Sequence, residues 1–297
     1  TLIIYGKFPA LETVGESAFT KAGDDETAIT FNGLPLLKTI ETSTFQSFKG
    51  TLTITGKYPA LVTLGAAAFN SAGDDESAIT FDGLPLLKQI ESHAFSSFKG
   101  TLAITGKYPA LETVGESAFF SAGSSNYSEE SEITFTGDLV TAESPSLYLL
   151  REIGESAFLS FNGTLTFTGD FPALETIGWQ AFYSAGNTES AISFTGLPLL
   201  KAIKAWAFYV FKGTLTITGK FPALVLIEAN AFKDAGGGGE NSVLFDCRSA
   251  DLTVDPTAFD NFNGDHNLGD DGSAISLCNS YPEGAIVLDA TYTEDWM

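Results

Sequence analysis

Residues Thr51–Gly100 repeat Thr1–Gly50 at 34 of 50 positions, and the same frame returns from Thr101 and again from Thr214. Each 50-residue period divides into a long half, such as Tyr58–Gly83, and a short half, such as Leu84–Lys107. Both halves follow one rule: Pro, then L-x-x-[IVL], then a small residue before Phe, then an apolar-alternating tetrapeptide and a turn. A repeat this short cannot bury an apolar face alone; it must stack on its neighbours and share one continuous core.

The spacings within a half predict its path. Leu52 and Ile54 alternate with Thr51, Thr53 and Thr55, a period of two that reads as a strand with Leu and Ile inward and Thr outward. Ile79 and Phe81 repeat this around Thr80. Leu61/Leu64 and Leu87/Ile90 are spaced i,i+3, which turns the chain around a corner. Phe95 and Phe98 share that spacing, and it predicts one helical or 3₁₀ turn facing inward. Gly56, Gly83 and Gly106 end strands, with Pro59, Pro85 and Pro109 as turn residues after them. Three residues beyond the key Phe, short halves carry Phe48, Phe98, Phe161 and Phe211, whereas long halves carry Ala22, Ala72, Ala122, Ala185 and Ala235. Large beside small on successive rungs suits close packing and accounts for a 50-residue period built from a half-length rule.

The signature L-x-x-[IV]-G-x-x-A-F stands at Leu11–Phe19, Leu111–Phe119, Leu150–Phe158 and Leu174–Phe182, and the Ala/Thr-Phe pair recurs in register along nearly the whole chain. This resembles the BspA-type leucine-rich repeat. The resemblance implies a right-handed leucine-rich-repeat superhelix of about 10–11 half-repeats of 24–26 residues. It also implies a place among surface and secreted proteins of bacteria and protists, typically in adhesion. Where that family often places Cys after the A-F pair, this chain has Phe or Ala. Kelch propeller blades are also about 50 residues long. Four alternating strands per blade are needed, however, and only two are clear here.

With 44% apolar and 12% aromatic residues the chain is no disordered polymer, and it has no apolar run long enough to span a membrane. Fifteen Lys+Arg against 37 Asp+Glu give a net charge of −22, which argues against nucleic acid or anionic membrane as partner. No catalytic triad, phosphate loop or metal motif recurs. His93 fills a slot held elsewhere by Ser43, Ser156 or Trp206, and His266 lies in an Asp/Asn/Gly loop. The expectation is a non-enzymatic scaffold with no cofactor and no metal, its partner a protein or glycan at a surface, or further copies of itself. Asp24-Asp25-Glu26 and Asp74-Asp75-Glu76 offer hard oxygens for calcium, yet equivalent loops read Ser124-Ser125-Asn126 and Asn187-Thr188-Glu189, so these read as solvated loops.

The outward strand residues form the candidate binding face. They run Thr53/Thr55, Thr80/Asp82, Ala103/Thr105, Thr134/Thr136, Thr166/Thr168, Ser193/Thr195 and Thr216/Thr218. Stacking these strands predicts two ranks of hydroxyls and methyls. The bland reading is that Thr simply suits a half-exposed strand. The functional one is a recognition face, with ice binding as its sharper form, because T-x-T ranks resemble those of β-solenoid ice-binding proteins.

Organisation follows the repeats. Thr1–Lys7 reads as the last strand of an earlier rung, so the chain is expected to begin mid-solenoid. A polar loop, Ser124–Glu130, and an insertion, Asp138–Ser146, interrupt the third period. After residue 246 the rule decays, so residues 1–246 are expected to be solenoid and 247–297 a cap. Asn126 and Asn162 are sequons in exposed slots. Cys247 and Cys278 each align with a strand end on neighbouring rungs. Strands about 4.8 Å apart suit a disulfide, which would place the protein in an oxidising, extracellular or cell-surface setting.

Overall fold

The structure is a computed structural model that describes residues 3–6, 8–123, 131–137, 149–267 and 276–277. It is a parallel β-solenoid of about ten turns, one half-repeat per turn. Each turn gives one longer strand to a twelve-stranded sheet and one two-residue strand to a ten-stranded sheet. The wide sheet runs from Ile3–Gly6 through Ala28–Asn32, Thr51–Thr55 and Ala78–Asp82 to Ser242–Arg248, against which both Asp265–Asn267 and Ser276–Leu277 pair. The narrow sheet runs from Thr13–Val14 to Thr253–Val254. The alternation read from the sequence holds: Leu52 and Ile54 are buried and Thr51, Thr53 and Thr55 half-exposed. The loop at 124–130 and the insertion at 138–146 lie outside the described residues, and both sheets continue to pair across them.

Among the described residues there is no helix. The segment around each key Phe, expected to be a helical or 3₁₀ turn, is instead a run of turns. Its amide groups divide into two sets. Ala94, Ser96 and Phe98 donate to carbonyls three residues back, those of Glu91, His93 and Phe95. His93, Phe95 and Ser97 donate instead to Glu116, Ala118 and Phe120 of the next rung, the central bond being 2.7 Å. A helix would turn every N–H along its own axis and leave the neighbouring rung's carbonyls unmet. The alternation makes this corner a third inter-rung ladder beside the two sheets. It requires left-handed backbone at the second residue before and the second residue after each key Phe from Phe19 to Phe232, and at the second residue after Phe259. Ser17 and Lys21, Ser43 and Ser47, and their successors to Asn261 all lie at φ between 48° and 62°.

The key phenylalanines stack along this ladder. Ten rings, Phe19, Phe45, Phe69, Phe95, Phe119, Phe158, Phe182, Phe208, Phe232 and Phe259, follow one another at centroid distances of 4.7–5.3 Å with interplanar angles of 15° or less. Those from Phe45 to Phe232 are fully buried, whereas Phe19, on the first complete rung, is covered from one side only and is half-buried. Phe48, Phe98, Phe161 and Phe211 are buried, as are Ala72, Ala122, Ala185 and Ala235 opposite them. The strand Ser242–Arg248 runs through residue 247, the narrow sheet continues to Val254, and Phe259 extends the ring stack.

One feature of the wide sheet runs against the sequence alignment. Ala28 pairs with Thr51 and Ala78 with Thr101, in step with the repeats. Between a short half and the following long half the pairing slips by two residues: Thr53 meets Ala78, Ala103 meets Glu132 and Thr166 meets Ala191. The narrow sheet does not slip; Val14, Ile40, Leu64 and Ile90 form one line. An even shift keeps inward residues inward, so the core tolerates it. Each slip displaces outward positions by about 7 Å, two residues at about 3.3 Å each.

Two outcomes are expected. Phe95→Ala, which opens a gap between Phe69 and Phe119, should cost about 3–5 kcal/mol in chemical denaturation; a loss below about 1 kcal/mol would contradict a stack under close packing. Val210 is a β-branched residue held at φ 52° in a slot where other rungs have Asp234 and Asn261. Left-handed backbone costs ordinary L-residues roughly 1–2 kcal/mol, so Val210→Asn should raise stability by about 1 kcal/mol, read as a higher Tm.

Candidate functional site

The outward threonines lie on the wide sheet as expected and are half-exposed, apart from Thr195, which sits exposed beyond the strand Ala191–Phe194 and donates its hydroxyl to Asp170. They do not form two unbroken ranks. One line of partners reads Thr30, Thr53, Ala78, Thr101. Another reads Thr80, Ala103, Glu132, Thr164, and Thr134 donates its hydroxyl to Glu132 at 2.9 Å. Thr55 faces Asn32, and Thr105 faces Asp82. Thr136, Thr168, Ser193, Thr216 and Ser242 make the longest hydroxyl line, while Thr166 meets Ala191 and Thr218 meets Leu244. The two-residue slip is what breaks the ranks, because it sets non-equivalent positions side by side.

The acidic loops have an internal role. Asp24 Oδ1 accepts from the Thr27 hydroxyl at 2.7 Å and from the Glu26 N–H at 3.2 Å, while Asp24 N–H donates to Thr27 Oγ1 at 3.0 Å. Asp74/Ser77 and Asn187/Ser190 repeat this arrangement. The last residue of each loop, Ser77, Ser131, Ser190 or Asn241, is buried and also accepts an N–H near the start of the preceding rung's strand: Leu52 to Ser77 at 2.9 Å, Leu102 to Ser131 at 3.0 Å, Leu165 to Ser190 at 2.9 Å and Leu215 to Asn241 at 2.8 Å. The slip leaves that N–H without a backbone carbonyl, and the side chain supplies the acceptor. Between the two loops lies an open cleft of about 540 Å³, walled by Asp25, Asp74 and Asp75 and floored by Phe48 with Lys49 and Lys99. Among the described residues, no three His, Cys, Asp or Glu groups come together as metal ligands.

Of the remaining residues singled out in the sequence, His93 is half-exposed in a left-handed turn, and His266 is exposed with its ring stacked on Phe259 at 4.6 Å. Asn162 is exposed, as a glycan acceptor must be. Asn126 and Cys278 lie outside the described residues, as does the side chain of Cys247, whose backbone pairs with Ser276.

The sequence reading passed over an aromatic cluster on the outside of the corner. Tyr183 and Tyr209 occupy the slot just after the key Phe, which earlier rungs fill with Thr20, Gln46, Asn70 and Ser96. Their rings lie 4.9 Å apart, and Trp206 meets Tyr209 edge-on at 4.7 Å. Trp179, one rung earlier, is 43% exposed. The available signal was positional: four large aromatics, Trp179, Tyr183, Trp206 and Tyr209, fall within two adjacent rungs. The Trp206 slot had marked His93 as an exposed turn.

The Thr27 hydroxyl is the main reason that the Asp24 carboxyl sits below its ordinary pKa, aided by the Glu26 N–H and opposed by desolvation. A carboxyl depressed in the folded state adds stability above its unfolded pKa, and that increment disappears as pH falls through the lower folded value. Thr27→Val should therefore move the Asp24 pKa upward in a carbon-detected NMR titration and flatten the acid limb of the stability profile. An unchanged pKa would show that the hydroxyl is not the cause.

No protein-family model matches this chain, and no curated protein matches it.

Proposed function

We propose that the protein is a non-enzymatic repeat scaffold that works outside the cell or on its surface, where its rigid exterior recognises a protein or glycan. The observation that carries this reading is the contrast between inside and outside. Core slots repeat almost unchanged over ten rungs, while the outward corner slots vary and gather Trp179, Tyr183, Trp206 and Tyr209 within two of them. Large aromatics with polar tips are the residues that dominate recognition surfaces. The net charge of −22, the exposed sequon at Asn162 and the Cys247/Cys278 pair support an extracellular setting. The L-x-x-[IV]-G-x-x-A-F corner supports kinship with the BspA-type leucine-rich repeat and, with it, a role in adhesion.

The alternative, adsorption to ice through the threonine face, needs long straight ranks of T-x-T pairs. Ala78, Ala103, Glu132 and Ala191 interrupt them.

The test is binding of the labelled chain to arrays of extracellular proteins and glycans, with thermal hysteresis measured on the same preparation. Saturable binding to one class without hysteresis is expected. Hysteresis without binding would replace this reading with the ice-adsorbing one, and neither activity would overturn both.

A further inference from the structure

We infer that the corner carries a binding strip for a linear, uncharged polysaccharide laid along the solenoid axis. This inference rests on the recognition reading above and names the ligand class and the site. The slot after the key Phe is Phe120, Leu159, Tyr183 and Tyr209 on four consecutive rungs, flanked by Ser96 on one side and Lys233 on the other. All four are half-buried, so each presents part of its side chain outward. At about 4.8 Å per rung the strip is roughly 15 Å long and one residue wide, with Trp206 and Trp179 beside its far end. A stable protein interface needs about 800 Å² per partner. A line of rings one residue wide offers far less than that, but it matches a narrow polymer whose own repeats stack on successive rings.

The backbone narrows the choice further. Every strip residue has both its N–H and its C=O committed. Phe120, Leu159, Tyr183 and Tyr209 donate to Ser117, Ser156, Gln180 and Trp206, and they accept from Ser97, Ser121, Ser160 and Ser184. An extended peptide adding itself by main-chain bonding would find no free edge. What the surface offers is ring faces and edges, fixed by the Tyr183–Tyr209 contact at 4.9 Å and the Trp206–Tyr209 contact at 4.7 Å. Beside them run serines of the left-handed slot, the exposed Ser121 and the half-exposed Ser160 and Ser184. Apolar ring surface beside a row of hydroxyls suits a sugar, whose C–H faces pack on rings while its hydroxyls exchange hydrogen bonds.

Charge selects a neutral sugar. Lys233, at the flank of the strip, pairs with Asp260 at 3.7 Å, and Lys204 pairs with Glu228 at 3.0 Å. A sulfated or uronate chain would approach a molecule of net charge −22.

The experiment titrates the full chain with neutral hexasaccharides (cello-, xylo-, manno- and chito-series) by calorimetry, with dextran sulfate as the charged comparison. The variant combines Tyr183→Ser, Trp206→Ser and Tyr209→Ser, residue types that other rungs carry in or beside these slots, and a melting curve like that of the parent certifies its fold. Saturable binding of at least one neutral series is expected, weakened about tenfold or more in the variant, as the loss of one or two ring contacts implies. Dextran sulfate should not bind. Three results would overturn the inference: no neutral series binds, binding is undiminished in the variant, or the substitutions abolish capture of a protein rather than of a sugar. A chain that captures a protein on the arrays but binds no sugar would keep the scaffold reading and lose this one.

Discussion

The corner phenylalanine is the contact on which the remaining structure depends. A short parallel rung has little to hold it by itself: the narrow sheet contributes only two residues per turn, and the wide sheet four to eight. At the corner, backbone and side chain act at the same point. The amide of Phe95 donates to Ala118 of the next rung at 2.7 Å, and its ring lies 5.0 Å from Phe69 and 5.2 Å from Phe119. Hydrogen bonding sets the rung spacing, and offset stacking of aromatic faces accepts that spacing without strain. The small residue before each Phe follows from the same geometry. Ala94, Ala118 and Ala207 are fully buried, as is Thr44 in the same slot.

This arrangement has a cost that is spread along the whole molecule. Among the described residues, nineteen other than glycine hold a left-handed backbone, ten of them serine. Serine's short polar side chain is compatible with such a turn and leaves the surface hydrophilic. Trp206 and Val210 occupy the same slots without that advantage. Strained positions persist where surrounding structure over-determines them, and three hydrogen-bonded ladders per turn supply that determination. At Trp206 the strained slot and the aromatic cluster coincide.

Much of the fold was legible in the sequence because the repeat dictates it. Alternation at Leu52 and Ile54 gave strand and facing, whereas the i,i+3 pairs Leu61/Leu64 and Leu87/Ile90, read as corners, end in the narrow-sheet strands Thr63–Leu64 and Gln89–Ile90. The Phe/Ala alternation at residues 98 and 72 foretold complementary rungs. The corner backbone was not legible, since an i,i+3 apolar pair is equally consistent with a helical turn and with linked turns. What decides between them is the neighbouring rung's carbonyls, which no single half encodes. The register slip was hidden for a related reason. Equivalent residues in Thr1–Gly50 and Thr51–Gly100 are related by the repeat, but how a long half pairs with a short one depends on loop geometry. For the same reason the slip's further breaks in the threonine ranks, which the sequence already interrupts at Asn32 and Asp82, could not be seen. The aromatic strip was visible residue by residue, yet it becomes a strip only once the corner slots are known to face outward on one line.

The alternation of halves also limits how such a molecule can change its length. The ring of Phe98 lies against Gly73 of the preceding long rung, so closely that a β-carbon there would come within 3.3 Å of it, and Phe48 sits likewise against Gly23. A short rung placed on another short rung would bring that ring against a lysine position instead. Recombination between repeats in the gene can therefore add or remove whole 50-residue units and leave every joint as it was. An exchange out of phase by one half would join two rungs of the same kind, and the solenoid would be interrupted at the seam.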